Sequence, residues 1–158
     1  MRKLEEEIKA IIIPSGSDRQ DLIRIQKARE YFNKKNLLER YIIAGLGPDT
    51  NKVLENGYDK KLDFHKTLYD YMMSETKGIF GADPFSMNSV ENILNAFPKG
   101  TKGKYGLVSY PLHLKRFKKI VEKLQKEDKI SQEIKIEYIP TEQSIKEVFY
   151  ELLHSIMR

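Results

Sequence analysis

The chain has 158 residues, 40% of them hydrophobic and 32% charged, with a formal net charge of +5 and no cysteine. That length suits one ordinary domain with a packed core. The missing cysteines exclude disulfides, thiolate zinc sites and iron–sulfur clusters, and with three histidines only (His65, His113 and His154) a histidine-based metal centre would have to rely on carboxylates.

The opening residues, Met-Arg-Lys-Leu-Glu-Glu-Glu, lack the apolar region and cleavage site of a secretory signal. The longest apolar run, Ala10 to Ile13, is far below the roughly 18 residues that span a bilayer. A cytoplasmic protein without a membrane segment is the expectation, and residues 1–158 read as a single domain. Both signs of charge are abundant, and pairs such as Glu122–Lys126 fit a solvated helical surface.

In chain order, Ile8 to Ile13 is a β-branched run typical of a strand buried on both faces. It ends at Pro14-Ser15-Gly16-Ser17, and Ser17 with Gln20 forms a capping-box pattern. A helix follows, with Leu22, Ile25, Ala28, Arg29 and Phe32 at helical spacing, and stops near Lys34-Lys35-Asn36. Tyr41 to Ala44 is a second strand, closed by Gly45-Leu46-Gly47-Pro48. Residues 49 to 62 are polar and read as a loop. Asp63 caps an expected helix holding Phe64, Leu68, Tyr71 and Met72, and Lys77 to Ala82 is a short strand candidate. Asn88 opens a helix with Val90, Ile93, Leu94 and Phe97, followed by a turn over Pro98 to Gly103. Tyr105 to Val108 is a strand, and Leu112 to Lys126 a helix with Leu112, Phe117, Ile120, Val121 and Leu124 inward. Glu133 to Ile139 alternates charge with isoleucine, as a half-buried edge strand does. Pro140-Thr141 then starts a last helix with Ile145, Val148, Phe149, Leu152 and Ile156 on one face.

Strands alternating with helices imply βαβ units and a parallel sheet with right-handed crossovers. The expected fold is a three-layer α/β/α domain with a mostly parallel five-stranded sheet in the order 3-2-1-4-5. First and fourth strands then lie side by side, and ligands of such sheets sit outside the carboxyl ends of those strands.

Three loops bring polar groups to that edge. The first carries Ser15, Gly16, Ser17 and Asp18, whose backbone N–H groups at a helix start are candidates to hold an anion; an ordinary strand-to-helix turn has the same composition. Gly45 in the second turn is a further substrate-binding candidate. The next cluster holds Asp83, Ser86, Asn88, Ser89, Glu91 and Asn92. Capping explains Asn88 and Glu91 but not Asn92, a poor helix former inside an apolar-faced helix. The last cluster is Ser109, Tyr110, His113 and Arg116. His113 and Arg116 share a face in the opening turns of a helix, where cations oppose the dipole unless an anion or carboxylate compensates them. His65 could join the site, and His154 needs no role beyond dipole compensation.

The last two clusters together resemble a known family. Ser86-x-Asn88-Ser89-x-Glu91-Asn92 is similar to the S-x-N-T-x-E-N stretch of the YdcF-like family, and Val108-Ser109-Tyr110-x-x-His113-x-x-Arg116 resembles its V-T-S-x-x-H-x-x-R stretch. Arg24 and Ala28 match its R-x-x-x-A helix, and the order and spacing agree over nearly the whole chain. Ser89 and Ser109 stand where the family usually has threonine, Asp83 where glutamate is common, and Ala44-Gly45-Leu46-Gly47 where it has S-G-G. The resemblance implies a Rossmann-like sheet with a polar site, and it adds S-adenosylmethionine to the ligands to consider.

Three functions fit these residues. The first is an enzyme, a hydrolase or transferase acting on a phosphorylated or nucleotide-like ligand. In it His113 or Glu91 is the general acid or base, Arg116 clamps an anion, the Ser15 to Ser17 backbone cradles further oxygens, and Asn88 and Asn92 orient the substrate. No nucleophile–base triad is assigned. A Mg²⁺ bridged by Asp83 or Glu91 and a ligand phosphate is compatible with the pattern, but no ligand spacing requires it. The second is a non-catalytic nucleotide or S-adenosylmethionine binding module. The third, ranked last, is an RNA-contacting protein using Lys115, Arg116, Lys118, Lys119 and Lys123.

Overall fold

The computed structural model describes residues 6–45, 47, 49–57, 59–62, 79–83 and 88–156. The expected helix after Asp63, His65 and Ser86 lie outside the described residues.

The chain is α/β with a parallel sheet. The run of isoleucines becomes β1 (Ile11–Pro14), all four residues buried. The Ser17–Gln20 capping box forms as the pattern requires and opens α1 (Asp18–Lys35), which ends with Asn36 in the left-handed region, where asparagine is tolerated better than most residues. β2 (Tyr41–Ala44) is again fully buried. Part of the expected loop at 49 to 62 is helical instead: α2 spans Thr50–Asn56. β3 (Ile79–Asp83) is followed by α3 (Ser89–Ala96), whose N-cap Asn88 accepts from the Glu91 N–H. Then come β4 (Gly103–Ser109) and α4 (Pro111–Lys126), with proline at N1, a position where its missing N–H costs nothing. β5 (Ile134–Pro140) and α5 (Ile145–Ile156) complete the described chain.

β1 is the hub of the sheet. It pairs in parallel with β2 (Ile12↔Ile42) on one side and β4 (Ile12↔Leu107) on the other. β5 runs along β4 from Gly103↔Ile134 to Ser109↔Pro140. The β3 backbone pairs with β2, Ala44 lying opposite Asp83. Successive β1 side chains serve opposite faces, as the twofold strand period dictates. Ile12 joins the cluster of Ile93, Phe97, Leu114 and Phe117 under α3 and α4, whereas Ile11 and Ile13 join Ile25, Ala28 and Phe32 of α1. Each such isoleucine stabilises the fold by about 1.5–3 kcal/mol. Among the described residues no helix is long and apolar enough to cross a membrane.

The last helix departs from the sequence reading in two ways. Pro140 stays in β5, and the helix is opened by Ser144, whose hydroxyl accepts from the Glu147 N–H at 3.2 Å while Glu147 Oε1 accepts from the Ser144 N–H at 2.8 Å. This is a capping box, legible as Ser-x-x-Glu. Its apolar stripe also points away from the core. Ile145 and Ile156 are each 77% exposed and Phe149 61%, while Glu147 and Glu151 are buried. Polar partners on α1 and α4, described below, decide this orientation.

Candidate functional site

The loop after β1 and the start of α4 after β4 meet because β1 and β4 are neighbours. Between them and the first turn of α5 lies a cavity of about 680 Å³, a size usual for small-molecule sites. Ser15, Gly16 and Ser17 line it from the first loop, Asn88, Ser89 and Asn92 from α3 and its cap, and Tyr110, His113 and Arg116 from α4. Sequence reasoning missed Arg19, Gln20, Ser144, Lys146, Glu147 and Tyr150, which complete the wall together with Arg24. For Gln20 and Glu147 the two capping boxes were the available signal; for Arg24 it was the charge at the centre of an apolar helix face.

At the centre is His113, buried and held at both ring nitrogens. Ser109 Oγ lies 2.7 Å from Nδ1 and Ser89 Oγ lies 3.1 Å from Nε2. Ser109 is fully buried, and Ser89 is partly exposed. The His113 ring packs against Phe117 at 4.4 Å and Tyr110 at 5.2 Å between centroids. The i+4 spacing of Ser109 and His113 across the β4–α4 junction makes the first contact local, while the sheet brings Ser89 to the other nitrogen. Asn92 lies one turn beyond Ser89 on the same face of α3. It is buried at the cavity wall. A side-chain amide at a cavity wall is placed to hydrogen-bond a ligand or water.

Three N–H groups of the first loop, expected as an anion cradle, are bonded within the protein. The Ser15 N–H donates to Ala44 O (2.9 Å), the Gly16 N–H to Asp21 Oδ1 (2.7 Å) and the Ser17 N–H to Gln20 Oε1 (3.0 Å). The turn consumes its own donors, leaving none of these three N–H groups for a ligand. Asp18 opens α1. Gly45, at φ 78°, braces the loop by accepting from the Ser15 hydroxyl at 2.6 Å, and it does not line the cavity.

Two further expectations change. Glu91 is half-buried and does not line the cavity. At about 100° per residue it is turned well away from the Ser89–Asn92 face. Arg116 reaches the cavity already compensated: its Nη2 lies 3.3 Å from Glu151 Oε1, the same oxygen that accepts the Tyr110 hydroxyl at 2.7 Å. The dipole-opposing cation thus finds its carboxylate within the protein, on α5. The Arg116 Nε is buried without a partner.

Burial and neighbouring charges set the remaining electrostatics. Desolvation lowers the Arg24 pKa, opposed by the charges of Asp21, Tyr110 and Glu147. Its Nη1 donates to Pro14 O at 2.6 Å, and the guanidinium carbon lies 5.8 Å from the Tyr110 ring centroid, within cation–π range. Burial also pushes the Tyr110 hydroxyl up, reinforced by its bond to Glu151, so it remains a donor at neutral pH. Burial alone would raise Glu147, but hydrogen bonds from Ser144 and Gln20 and the charge of Arg24 bring it below the ordinary carboxylate value. Among the described lining residues, Arg19, Arg24, Arg116 and Lys146 face the cavity with Glu147 the one carboxylate, so the described wall is net positive.

Lys115, Lys118, Lys119 and Lys123 are exposed on α4, but Phe117 is in the core, so no exposed aromatic interleaves with them. Among the described residues no group of three or more histidine, aspartate or glutamate side chains is placed to hold a metal ion. Comparison with protein-family models, with curated proteins and with solved structures returns no match.

Proposed function

We propose that the protein is a hydrolase or group transferase acting on a small phosphorylated or nucleotide-like anion, with His113 as its general acid and base. One observation carries this reading: a cation-rich cavity encloses a buried histidine whose two ring nitrogens each meet a serine hydroxyl. The positive wall attracts the anion, and the His113 ring nitrogens lie within proton-transfer reach of two hydroxyls. Asn92 orients the ligand through its side-chain amide at the cavity wall. Arg19 and Lys146 contribute charge from the exposed rim, and Arg116 contributes as half of an ion pair.

The same reading includes the finer architecture and the family. The ladder between β2 and β3 supports a five-stranded Rossmann-like order 3-2-1-4-5, and the convergence of Ser89, Asn92, His113 and Arg116 on one cavity, with Ser109 behind His113, supports the YdcF-like resemblance. S-adenosylmethionine and nucleotides both carry groups that this wall would accept.

A thermal-shift screen with nucleotides, sugar phosphates, polyprenyl phosphates and S-adenosylmethionine, with and without Mg²⁺, tests the proposal. A ligand at a hundred times its Kd adds about 2.7 kcal/mol of stability, or about 5–10 °C in Tm for a chain of this size. The shift should shrink in Arg19→Ala and Lys146→Ala, both exposed and replaceable without unfolding. No shift with any anion sinks the reading. A shift without turnover on long incubation assigns the cavity to binding alone.

A further inference from the structure

Ser89, His113 and Ser109 form a continuous line of hydrogen bonds running from the cavity into the core. The outer hydroxyl and the nearly buried imidazole line the cavity, and the inner hydroxyl is inaccessible. The contacts are 3.1 Å and 2.7 Å, within the reach required of a nucleophile, its base and the group that orients the base. The ring is fixed between Tyr110 and Phe117, so Nε2 stays directed at Ser89. If Nδ1 carries the hydrogen and donates it to Ser109 Oγ, Nε2 is left as an acceptor for the Ser89 hydroxyl. Ser89 is also the first residue of α3, where the positive end of the helix favours a developing alkoxide.

We propose that Ser89 is the nucleophile and that the reaction passes through a covalent phosphoseryl intermediate; this deepens the proposed function and rests on it for the nature of the substrate. Ser89 Oγ attacks phosphorus as its proton passes to His113 Nε2. The Oγ–P bond forms while the bond from phosphorus to the leaving oxygen breaks, its electron pair staying on that oxygen, which takes the proton from Nε2. A water molecule then attacks phosphorus and gives a proton to Nε2. The P–Oγ bond breaks, and Ser89 recovers its proton from His113. A second alcohol in place of water gives transfer rather than hydrolysis. Ser109 is a positioning residue that holds the imidazole ring in place through Nδ1.

The test is labelling by diisopropyl fluorophosphate, a neutral phosphorus electrophile that needs no anion site. The expected result is one diisopropylphosphoryl group per chain, with fluoride released, mapped by peptide mass spectrometry to Ser89. It should be absent in Ser89→Ala and slowed about a hundredfold or more in His113→Ala. Ser109→Ala should slow labelling and move the midpoint of its pH profile, and Ser109→Thr should restore both. Absent labelling, or labelling mapped elsewhere, overturns the nucleophile even where phosphorylated ligands still raise Tm. Labelling at Ser89 with no thermal shift from any anion leaves the nucleophile standing and overturns the substrate class. A Ser109→Ala profile with unchanged rate and midpoint removes the positioning role.

Discussion

Gln20 of α1 and Glu147 of α5, 127 positions apart, meet in a 2.7 Å hydrogen bond from Nε2 to Oε2. Each also closes the capping box of its own helix, Gln20 with Ser17 and Glu147 with Ser144. The two helix starts that form one side of the cavity are therefore fastened by a pair that also supplies their caps. Glu147→Ala removes the carboxylate half of the capping box and the Gln20 bond together, leaving the Ser144 hydroxyl on the backbone N–H, and should cost about 1–3 kcal/mol, a fall of several degrees in Tm. Glu147→Gln should cost less, since an amide can still accept from Ser144. Thermal unfolding of the two variants checks the order.

The same carboxylate makes stability depend on acid. Its pKa is lower in the folded protein than its ordinary value of 4.5. The unfolded chain therefore binds the proton first, so the contribution of Glu147 is complete above that ordinary value and is lost as pH falls through the lower, folded one. The Tm difference between wild type and Glu147→Gln should be constant near neutrality and shrink below about pH 4.5. A difference that grows on acidification contradicts this.

Arg24 is 2% exposed and holds the carbonyl of Pro14, the last residue of β1. Replacement by methionine keeps the apolar stem but deserts that carbonyl and removes the Arg24 charge that interacts with the fully buried Asp21. A loss of about 2–4 kcal/mol follows, with weakened ligand binding because the Ser15–Ser17 loop starts at Pro14. Urea unfolding, read at an unchanged m-value, measures it.

The outward apolar stripe of α5 yields a prediction opposite to ordinary amphipathic reasoning. Phe149→Ser should change stability by no more than about 0.5 kcal/mol, as for an exposed substitution. Glu151→Ala, on the polar face, should cost about 2–4 kcal/mol, because it strands the Arg116 guanidinium and the Tyr110 hydroxyl in a buried setting. Chemical denaturation of both variants side by side decides which face is inward.

At Gly106 a Cβ would stand 2.8 Å from Ile11 Cγ1 and 3.1 Å from Ile139 Cδ1. The glycine lets neighbouring isoleucines close over the middle of β4. Gly106→Val should therefore overpack the core and destabilise by about 1–3 kcal/mol despite valine's preference for strands. A gain in Tm would show that the isoleucines can move aside.

Local order was legible from residue types alone. Ile11 to Ile13 marks a strand buried on both sides, Ser17 and Gln20 mark a helix start, and Asn88 caps α3, because each depends on neighbours within one turn or one strand. The short helix at Thr50–Asn56 was not legible, its polar composition offering no periodic face. The gathering of Ser109, His113 and Arg116 could also be expected from spacing on α4 and its junction. Tertiary structure alone decided what these groups touch. It turned Glu147 and Glu151 of α5 inward and Phe149 outward, because ion pairing and hydrogen bonding with Arg116, Tyr110 and Gln20 outweighed the burial of one apolar stripe. It also spent the N–H groups of Ser15, Gly16 and Ser17 on Ala44, Asp21 and Gln20, and it brought Ser89 to His113 across 24 residues. Sequence periodicity reports which residues share a face, whereas the partner of a polar group is set by long-range packing that no local pattern encodes.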